Sequence, residues 1–141
     1  MPARPTHIAD ACAAIAYVKG EPGHEQFAAI LRDTRNSVVI HRVNFCEVYY
    51  DFLRSDGPAI AERAHETLAP VITILDPEGE SFLKRVARWK VGHACPNHNL
   101  GLADAFAAAT AEEFACPLIT LDHGDFDPVE AAGVLQFIWL R

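Results

Sequence analysis

The chain has 141 residues, half of them hydrophobic, and a formal net charge of −7. This length suits one domain with a real core, which we expect to span residues 1–141. The acidic balance argues against a basic surface that holds nucleic acid by charge alone, although it allows local basic patches and a metal site. No apolar run reaches the roughly 18 residues of a membrane span. Asp10 and Lys19 interrupt any signal-peptide core, so we expect a soluble, cytoplasmic protein.

The cysteines support the same compartment. The chain has four cysteines, Cys12, Cys46, Cys95 and Cys116, and no pair has C-x-x-C spacing. Of these, Cys12, Cys46 and Cys116 stand in apolar surroundings. This usage predicts reduced, mostly buried thiols, as in a cytosolic protein.

In the first half of the chain, β-branched runs alternate with helical patterns. The predicted order is a strand in "HIAD", a helix in "ACAAIAYV", a helix in "GEPGHEQFAAILRD", a strand in "SVVIHRV", and helices in "NFCEVYYDFLRS" and "GPAIAERAHETLAP". Asn44 is placed to act as the N-cap of the amphipathic fifth element.

The second half repeats this alternation. It predicts a strand in "VITIL", a helix in "DPEGESFLKRVARWKV", a loop in "HACPNHN", a helix from Leu102 to Phe114, a strand in "CPLITL", a loop and short helix in "DHGDFDPVEAAG", and a strand in "VLQFIWL". We therefore expect a three-layer α/β/α fold around a central, mostly parallel sheet of four to five strands. In such folds, sites form at the carboxyl ends of the strands.

Three aspartates stand where such a site would form. Asp10 and Asp122 each directly follow a predicted strand, and Asp104 lies in the first turn of a helix that Gly101 or Asn99 could cap. Each has an ordinary explanation, because aspartate is common in turns and caps, and a helix dipole favours Asp104 by roughly 0.3–1 kcal/mol. Together they could converge, and a cluster of repelling carboxylates suits a hard cation such as Mg²⁺ or Mn²⁺.

Glu47 is different, because helical periodicity places it away from the apolar face. That face is marked by Phe45, Val48, Tyr49 and Phe52. A step of about 100° per residue puts Glu47 beside Tyr50 and Arg54. Periodicity alone therefore predicts an exposed glutamate on a polar face.

Three segments carry a resemblance that covers nearly the whole chain. They are "IADACAAIAYVKGEPG", "VNFCEVYYDFL" and "GLADAFAAATAEEFACPLITLDHGDF". In this order they resemble a PIN domain, and within that family the VapC-type toxins of bacterial toxin–antitoxin pairs. The resemblance implies a parallel sheet between helices, metal-dependent cleavage of RNA, a homodimer, and a partner antitoxin that blocks the site.

The resemblance also implies roles for particular residues. It maps Asp10, Glu47, Asp104 and Asp122 onto the family's acidic quartet, which would carry catalysis and hold Mg²⁺ or Mn²⁺. A metal-activated water would attack the phosphorus, with either Glu47 or Asp122 orienting it. Asp125 is an auxiliary acid, and Thr120 matches a hydroxyl residue that commonly precedes the last acid. The chain departs from its relatives at Ala11, Cys12 and Gly101, where they often carry hydroxyl side chains.

Weaker patterns leave alternatives open. His93, Cys95 and His98 could suggest a metal site, but their spacing matches no common zinc pattern, and a polar loop is the commoner explanation. Lys84, Arg85 and Arg88 could contact RNA phosphates or could form a solvated helix face. The missing hydroxyls leave room for a PIN-like binding module with weakened catalysis. A structure-specific DNA nuclease is a third possibility, although such enzymes usually carry large insertions.

Overall fold

A five-stranded parallel sheet forms the centre of the computed structural model, which describes residues 4–77, 79–92 and 95–141. The strands are β1 (His7–Ala9), β2 (Val38–His41), β3 (Thr73–Leu75), β4 (Leu118–Thr120) and β5 (Phe137–Trp139). Their order across the sheet is β3-β2-β1-β4-β5, and every neighbouring pair is parallel. The prediction of a mostly parallel sheet of four to five strands is confirmed.

Helices connect the strands at the places that the sequence pattern predicts. They are α1 (Ala11–Lys19), α2 (His24–Arg32), α3 (Arg42–Asp56), α4 (Pro58–Leu68), α5 (Glu80–Lys90), α6 (Leu102–Phe114) and α7 (His123–Ala131). None of the helices in the described ranges is both long enough and apolar enough to cross a membrane.

Both faces of the sheet are buried, which gives the predicted three layers. On β1, Ile8 belongs to the cluster formed with α5, α6 and α7, whereas Ala9 belongs to the cluster formed with α1 to α4. On β4, Leu118 and Ile119 divide in the same way. This follows from the strand geometry, because successive side chains point to opposite faces. The central strands β1, β2 and β4 are therefore mostly apolar, with aliphatic side chains on both faces.

Helix α6 owes its central position to small side chains. Five of its alanines are fully buried: Ala105, Ala107, Ala108, Ala109 and Ala111. The helix contacts β1, β2 and β4 as well as α5 and α3. Because alanine adds little bulk, the α6 backbone can lie close to the sheet and bring its first turn to the carboxyl edge.

Two local predictions are wrong. Asn44 is not the N-cap of α3, since the helix begins at Arg42 directly after β2 and His41 Nδ1 accepts the capping hydrogen bond from Val43 N at 3.0 Å. Cys46 is not buried, because it lies on the solvent side of α3. The other cysteines are buried or half-buried, and all four are free thiols.

Candidate metal-binding active site

The site lies where neighbouring strands β1 and β4 end. The two strands are parallel, with Ala9 opposite Ile119, so their carboxyl ends meet at one edge of the sheet. Asp10 follows β1 directly, and its backbone N–H still donates to Ile119 O at 3.0 Å. Asp122 follows β4 after one intervening residue. The topology therefore brings together two acids that are far apart in sequence.

Asp10 is the most buried of the acids, with 3 % of its surface exposed. It caps α1 by accepting a hydrogen bond from Ala11 N at its Oδ1, at 2.9 Å. Its Oδ2 accepts from Thr120 Oγ1 at 2.9 Å and from Cys12 Sγ at 3.5 Å. Burial raises the pKa of Asp10 in spite of these hydrogen bonds, which favour the charged form. Three hydrogen-bond donors thus hold the Asp10 carboxyl group in one orientation.

Thr120 connects Asp10 to Asp122 through hydrogen bonds. Its hydroxyl is fully buried, donates to Asp10 Oδ2 and accepts from Asp122 N at 3.1 Å. The Cys12 thiol lies 3.3 Å from Thr120 Oγ1 and accepts from Leu121 N at 3.4 Å. Burial raises the pKa of Cys12 to about 12, so the thiol is neutral.

We expect Thr120→Val to weaken Mn²⁺ binding and RNA cleavage by about 10- to 100-fold, as for other groups that orient metal ligands. Valine keeps the shape of threonine but removes the hydroxyl that orients Asp10 and meets Asp122 N–H. Calorimetric titration with Mn²⁺ and a cleavage assay measure the two effects. Thr120→Ser is the matched control and should keep most of both activities. Equal losses in the serine and valine variants would contradict a role for the hydroxyl.

Three carboxylates form the tightest group of possible ligands. Asp104, Asp122 and Asp125 each offer an oxygen, and these oxygens all lie within 4.8 Å of one another. Asp122 caps α7 and accepts from Asp125 N at 3.0 Å, which holds the two acids on one short turn. Asp125, predicted only as an auxiliary acid, therefore stands with Asp104 and Asp122, while Asp10 and Glu47 are not members of this triad.

Asp104 reaches the triad from the first turn of α6. The helix begins after Gly101, which makes no side-chain cap. A Cβ at position 101 would lie 3.1 Å from Asp104 Oδ2, so the glycine leaves space for the carboxylate. Glycine at this position thus gives α6 no side-chain cap but leaves room for the Asp104 carboxylate.

Asn44 links this turn to α3, a contact that sequence reasoning missed. The side chain is fully buried, and its Nδ2 donates to Ala103 O at 2.9 Å, one residue before Asp104. Asn44 also lies three residues before Glu47, so the two share one side of the helix. In the sequence, only the spacing between Asn44 and Glu47 suggested that Asn44 lies near the site. That spacing does not indicate that the Asn44 amide donates to a carbonyl of α6.

Glu47 is half-buried, which contradicts the exposed position that periodicity predicts. Burial raises its pKa, and the negative charges of Asp10, Asp51, Asp122 and Asp125 raise it further. The helix therefore turns Glu47 toward the acidic edge, because α3 packs against α1 and α6 as well as α4. A helix with neighbours on several sides does not show a simple two-faced pattern.

The three acids of the triad shift one another's pKa values. Burial raises the pKa of Asp104 to about 9, helped by a hydrogen bond to Asp125 and by the charges of Asp10, Asp125 and Asp122. Burial and the neighbouring Asp125 also raise the pKa of Asp122. The pKa of Asp125 is lowered, because its carboxylate accepts the hydrogen bond from Asp104. In the metal-free protein, one proton shared in this way relieves part of the repulsion.

A divalent cation fits this set of donors. In residues 4–77, 79–92 and 95–141, no lysine or arginine forms an ion pair with the triad, Asp10 or Glu47. Carboxylate oxygens are the ligands that Mg²⁺ and Mn²⁺ prefer. The three carboxylate oxygens lie close enough to bind one ion together, and that ion would replace the proton shared by Asp104 and Asp125.

The weaker candidates lie elsewhere or have other partners. His93 is outside the described residues. Cys95 Sγ donates to Pro128 O at 3.5 Å, and His98 Nε2 is hydrogen-bonded to the backbone carbonyl of Asp125. Arg85 pairs with Glu112 at 3.0 Å and also with Glu113, whereas Lys84 and Arg88 are exposed. Of the three predicted phosphate contacts on α5, Arg85 is engaged in ion pairs, and Lys84 and Arg88 are open to solvent.

The protein is of the α/β class: helices cover both faces of a parallel sheet, and a cluster of carboxylates lies at the carboxyl edge of that sheet. The chain belongs to the PIN domain family, whose model matches residues 8–131. The resemblance noted in the sequence is confirmed. No match was found among curated protein sequences.

Solved structures share the fold at low identity. VapBC2 from Rickettsia felis, bound to a DNA fragment from its promoter, has a TM-score of 0.76 at 12% identity, over 96% of this chain and 99% of that one. DNA-bound VapBC from Salmonella typhimurium has a TM-score of 0.74 at 17% identity, over 95% and 97%. Mycobacterium tuberculosis VapC20, a toxin that cleaves the sarcin-ricin loop, has a TM-score of 0.67 at 16% identity, over 89% and 95%.

Proposed function

We propose that this protein is a metal-dependent endoribonuclease that hydrolyses RNA phosphodiester bonds and acts as the toxin of a type II toxin–antitoxin pair. The observation that carries the proposal is the triad of Asp104, Asp122 and Asp125, whose negative charges no lysine or arginine of the described residues compensates. Membership of the PIN family and the likeness to VapC folds support the same activity.

The residues divide the work by position. Asp104, Asp122 and Asp125 would hold Mg²⁺ or Mn²⁺. Asp10 is buried and would contribute negative charge next to them. When bound, such an ion polarises a phosphate and lowers the pKa of a coordinated water. Glu47 suits the proton acceptor better than Asp122, because Glu47 is outside the triad and its raised pKa moves it toward the working pH. The Asp122 Oδ1 is already occupied by Asp125 N–H.

The proposal is tested by incubating the purified protein with total RNA in Mg²⁺ or Mn²⁺ and then in excess EDTA. We expect discrete cleavage with metal and none with EDTA. Cleavage that persists in EDTA would contradict the assignment as a metal-dependent nuclease. Binding without cleavage of any RNA would favour the weakened binding module, and preferential cleavage of structured DNA would favour the DNA nuclease.

We also propose a homodimer and a small antitoxin partner. Several structural neighbours are toxin–antitoxin complexes. On this chain, α3 presents Tyr50 and Leu53, which are 48% and 40% exposed and could serve a subunit contact. Light scattering of the purified protein tests the dimer, with Leu53→Glu expected to shift it to monomer. Co-purification with the product of a short reading frame directly upstream tests the partner.

A further inference from the structure

Three aromatic rings are stacked beside the acidic triad. His123 lies on Trp139 with ring centroids 4.0 Å apart and planes 10° apart. Trp139 lies on Phe137 at 5.2 Å and 17°. Phe137 and Trp139 are alternate residues of β5, so both rings stand on the same face of that edge strand and pack against the core on the side of α5, α6 and α7. The imidazole is the outer end of the stack.

The ring edges are held by carboxylates from one helix. On α7, Asp127 Oδ1 is hydrogen-bonded to His123 Nδ1 at 2.7 Å, and Glu130 Oε2 accepts from Trp139 Nε1 at 2.7 Å. Both acids bind nitrogen atoms at the edges of the rings and not the ring faces. The His123 side chain is 57% exposed although one face lies on Trp139, from which we infer that its other face is open to solvent. Rings fixed in this way lose little freedom when a further ring stacks on them.

The stack is continuous with the proposed catalytic edge. Trp139 pairs in register with Thr120, the residue whose hydroxyl connects Asp10 and Asp122. His123 follows Asp122 directly in the chain and begins α7. A phosphate at the triad would therefore have its neighbouring nucleotide within reach of the imidazole face.

We propose that the face of His123, backed by Trp139, is a stacking site for an unpaired base of the RNA substrate, next to the phosphate bound at the acidic triad. The inference rests on the proposed function and adds a base-binding subsite beside the proposed metal site. Aromatic faces stack on bases with little sequence preference, because every base has a π-face. The site therefore selects an unpaired base over a paired base and over an abasic position.

The test measures binding of a short, fluorescently labelled oligoadenylate by anisotropy, in the Asp104→Asn background with Mn²⁺ so that the probe stays intact. A second probe carries one abasic ribose in place of adenosine at the position to be tested. We expect roughly tenfold weaker binding after His123→Ala, in line with the loss of one base–aromatic stack. The preference for adenine over the abasic probe should disappear in the same variant.

Two further variants separate stacking from other roles. His123→Phe keeps a ring without the bond to Asp127 and should restore both binding and the adenine preference. His65→Ala on α4, whose ring packs edge-on against Phe45, is the matched control and should bind like the parent. A His123→Ala variant that binds normally, or a phenylalanine variant as weak as the alanine one, would overturn the stacking site.

Cleavage kinetics distinguish failure of this inference from failure of the proposed function. Metal-dependent RNA cleavage with an unchanged KM in His123→Ala would remove the stacking site and leave the nuclease intact. Oligoadenylate binding that depends on His123, without cleavage of any RNA, would keep the stacking site and refute the nuclease. A loss of antitoxin binding in His123→Ala with no change in oligoadenylate binding would assign the surface to a protein partner and overturn the proposal.

Discussion

Asp104→Asn should abolish metal-dependent RNA cleavage, by at least about 10³-fold, because several kilocalories per mole of metal-derived stabilisation of the transition state would be lost. Asn keeps the size of the side chain, and the small residues around it on α6 need no rearrangement. The amide cannot ionise to a carboxylate ligand, so the variant loses one anionic donor from a triad whose oxygens lie within 4.8 Å of one another. Cleavage assays with Mg²⁺ and Mn²⁺ measure the loss.

The same variant should be more stable than the wild type without metal. Asp104 resists ionisation because of burial and neighbouring charges, and the asparagine never has to ionise. At pH 8 in EDTA we expect a gain on the order of 1 kcal/mol in the free energy of unfolding. Glu66→Gln, which makes the same charge change at an exposed position of α4, is the control and should alter neither cleavage nor stability. An unfolded or fully active Asp104→Asn protein would contradict the assignment.

The metal-free protein should lose stability as the pH rises from 7 to 9. The folded-state pKa of Asp104 is about 9, far above its value in the unfolded chain. A group with a raised pKa contributes stability that is complete below the unfolded pKa and is lost as the pH rises through the folded pKa. Asp122, Asp10 and Glu47 shift in the same direction. Urea unfolding in EDTA at several pH values measures the slope.

The pH window matters because buried histidines act in the opposite direction. Burial lowers the pKa of His7 and His41, so their effect on stability ends near the ordinary histidine value of 6.5. Above pH 7 the acids dominate, and the slope should be shallower in Asp104→Asn than in the wild type. Added Mn²⁺ should restore stability, and more so at pH 9 than at pH 7, because the ion replaces a proton. A stability that is flat or rises with pH in both proteins would contradict a strained acidic cluster.

Patterns of short range are readable from the sequence when one physical cause dominates them. The strand runs at β2 and β4 are apolar on both faces because helices cover both faces, and this pattern alone indicates a buried parallel sheet. Asp10 and Asp122 could be placed at the carboxyl edge because each follows a predicted strand, and parallel strands end at the same edge of the sheet. The alanines of α6 indicated close packing around Asp104.

Other features depend on contacts between segments that are distant in the chain. Asn44 was predicted to cap α3, but it bonds Ala103 on α6, 59 residues away. Periodicity alone predicts an exposed Glu47, because it reports only the largest apolar face of α3, whereas the family resemblance assigns Glu47 to the acidic quartet. Glu47 is half-buried because neighbouring helices also cover other sides of α3. Asp125 belongs to the triad because its backbone N–H donates a hydrogen bond to the Asp122 carboxylate, which keeps the two side chains close together.

The sequence by itself determined the order of strands and helices, the parallel sheet, and which end of that sheet collects acids, because these follow from hydrophobic period and chain direction. Only the tertiary structure decided which carboxylates share one point, which hydroxyl and thiol hold Asp10, and which rings stack beside the site. Those outcomes are set by approaches of a few ångströms between β1, β4, α6 and α7, and side-chain spacing along the chain carries no record of such distances.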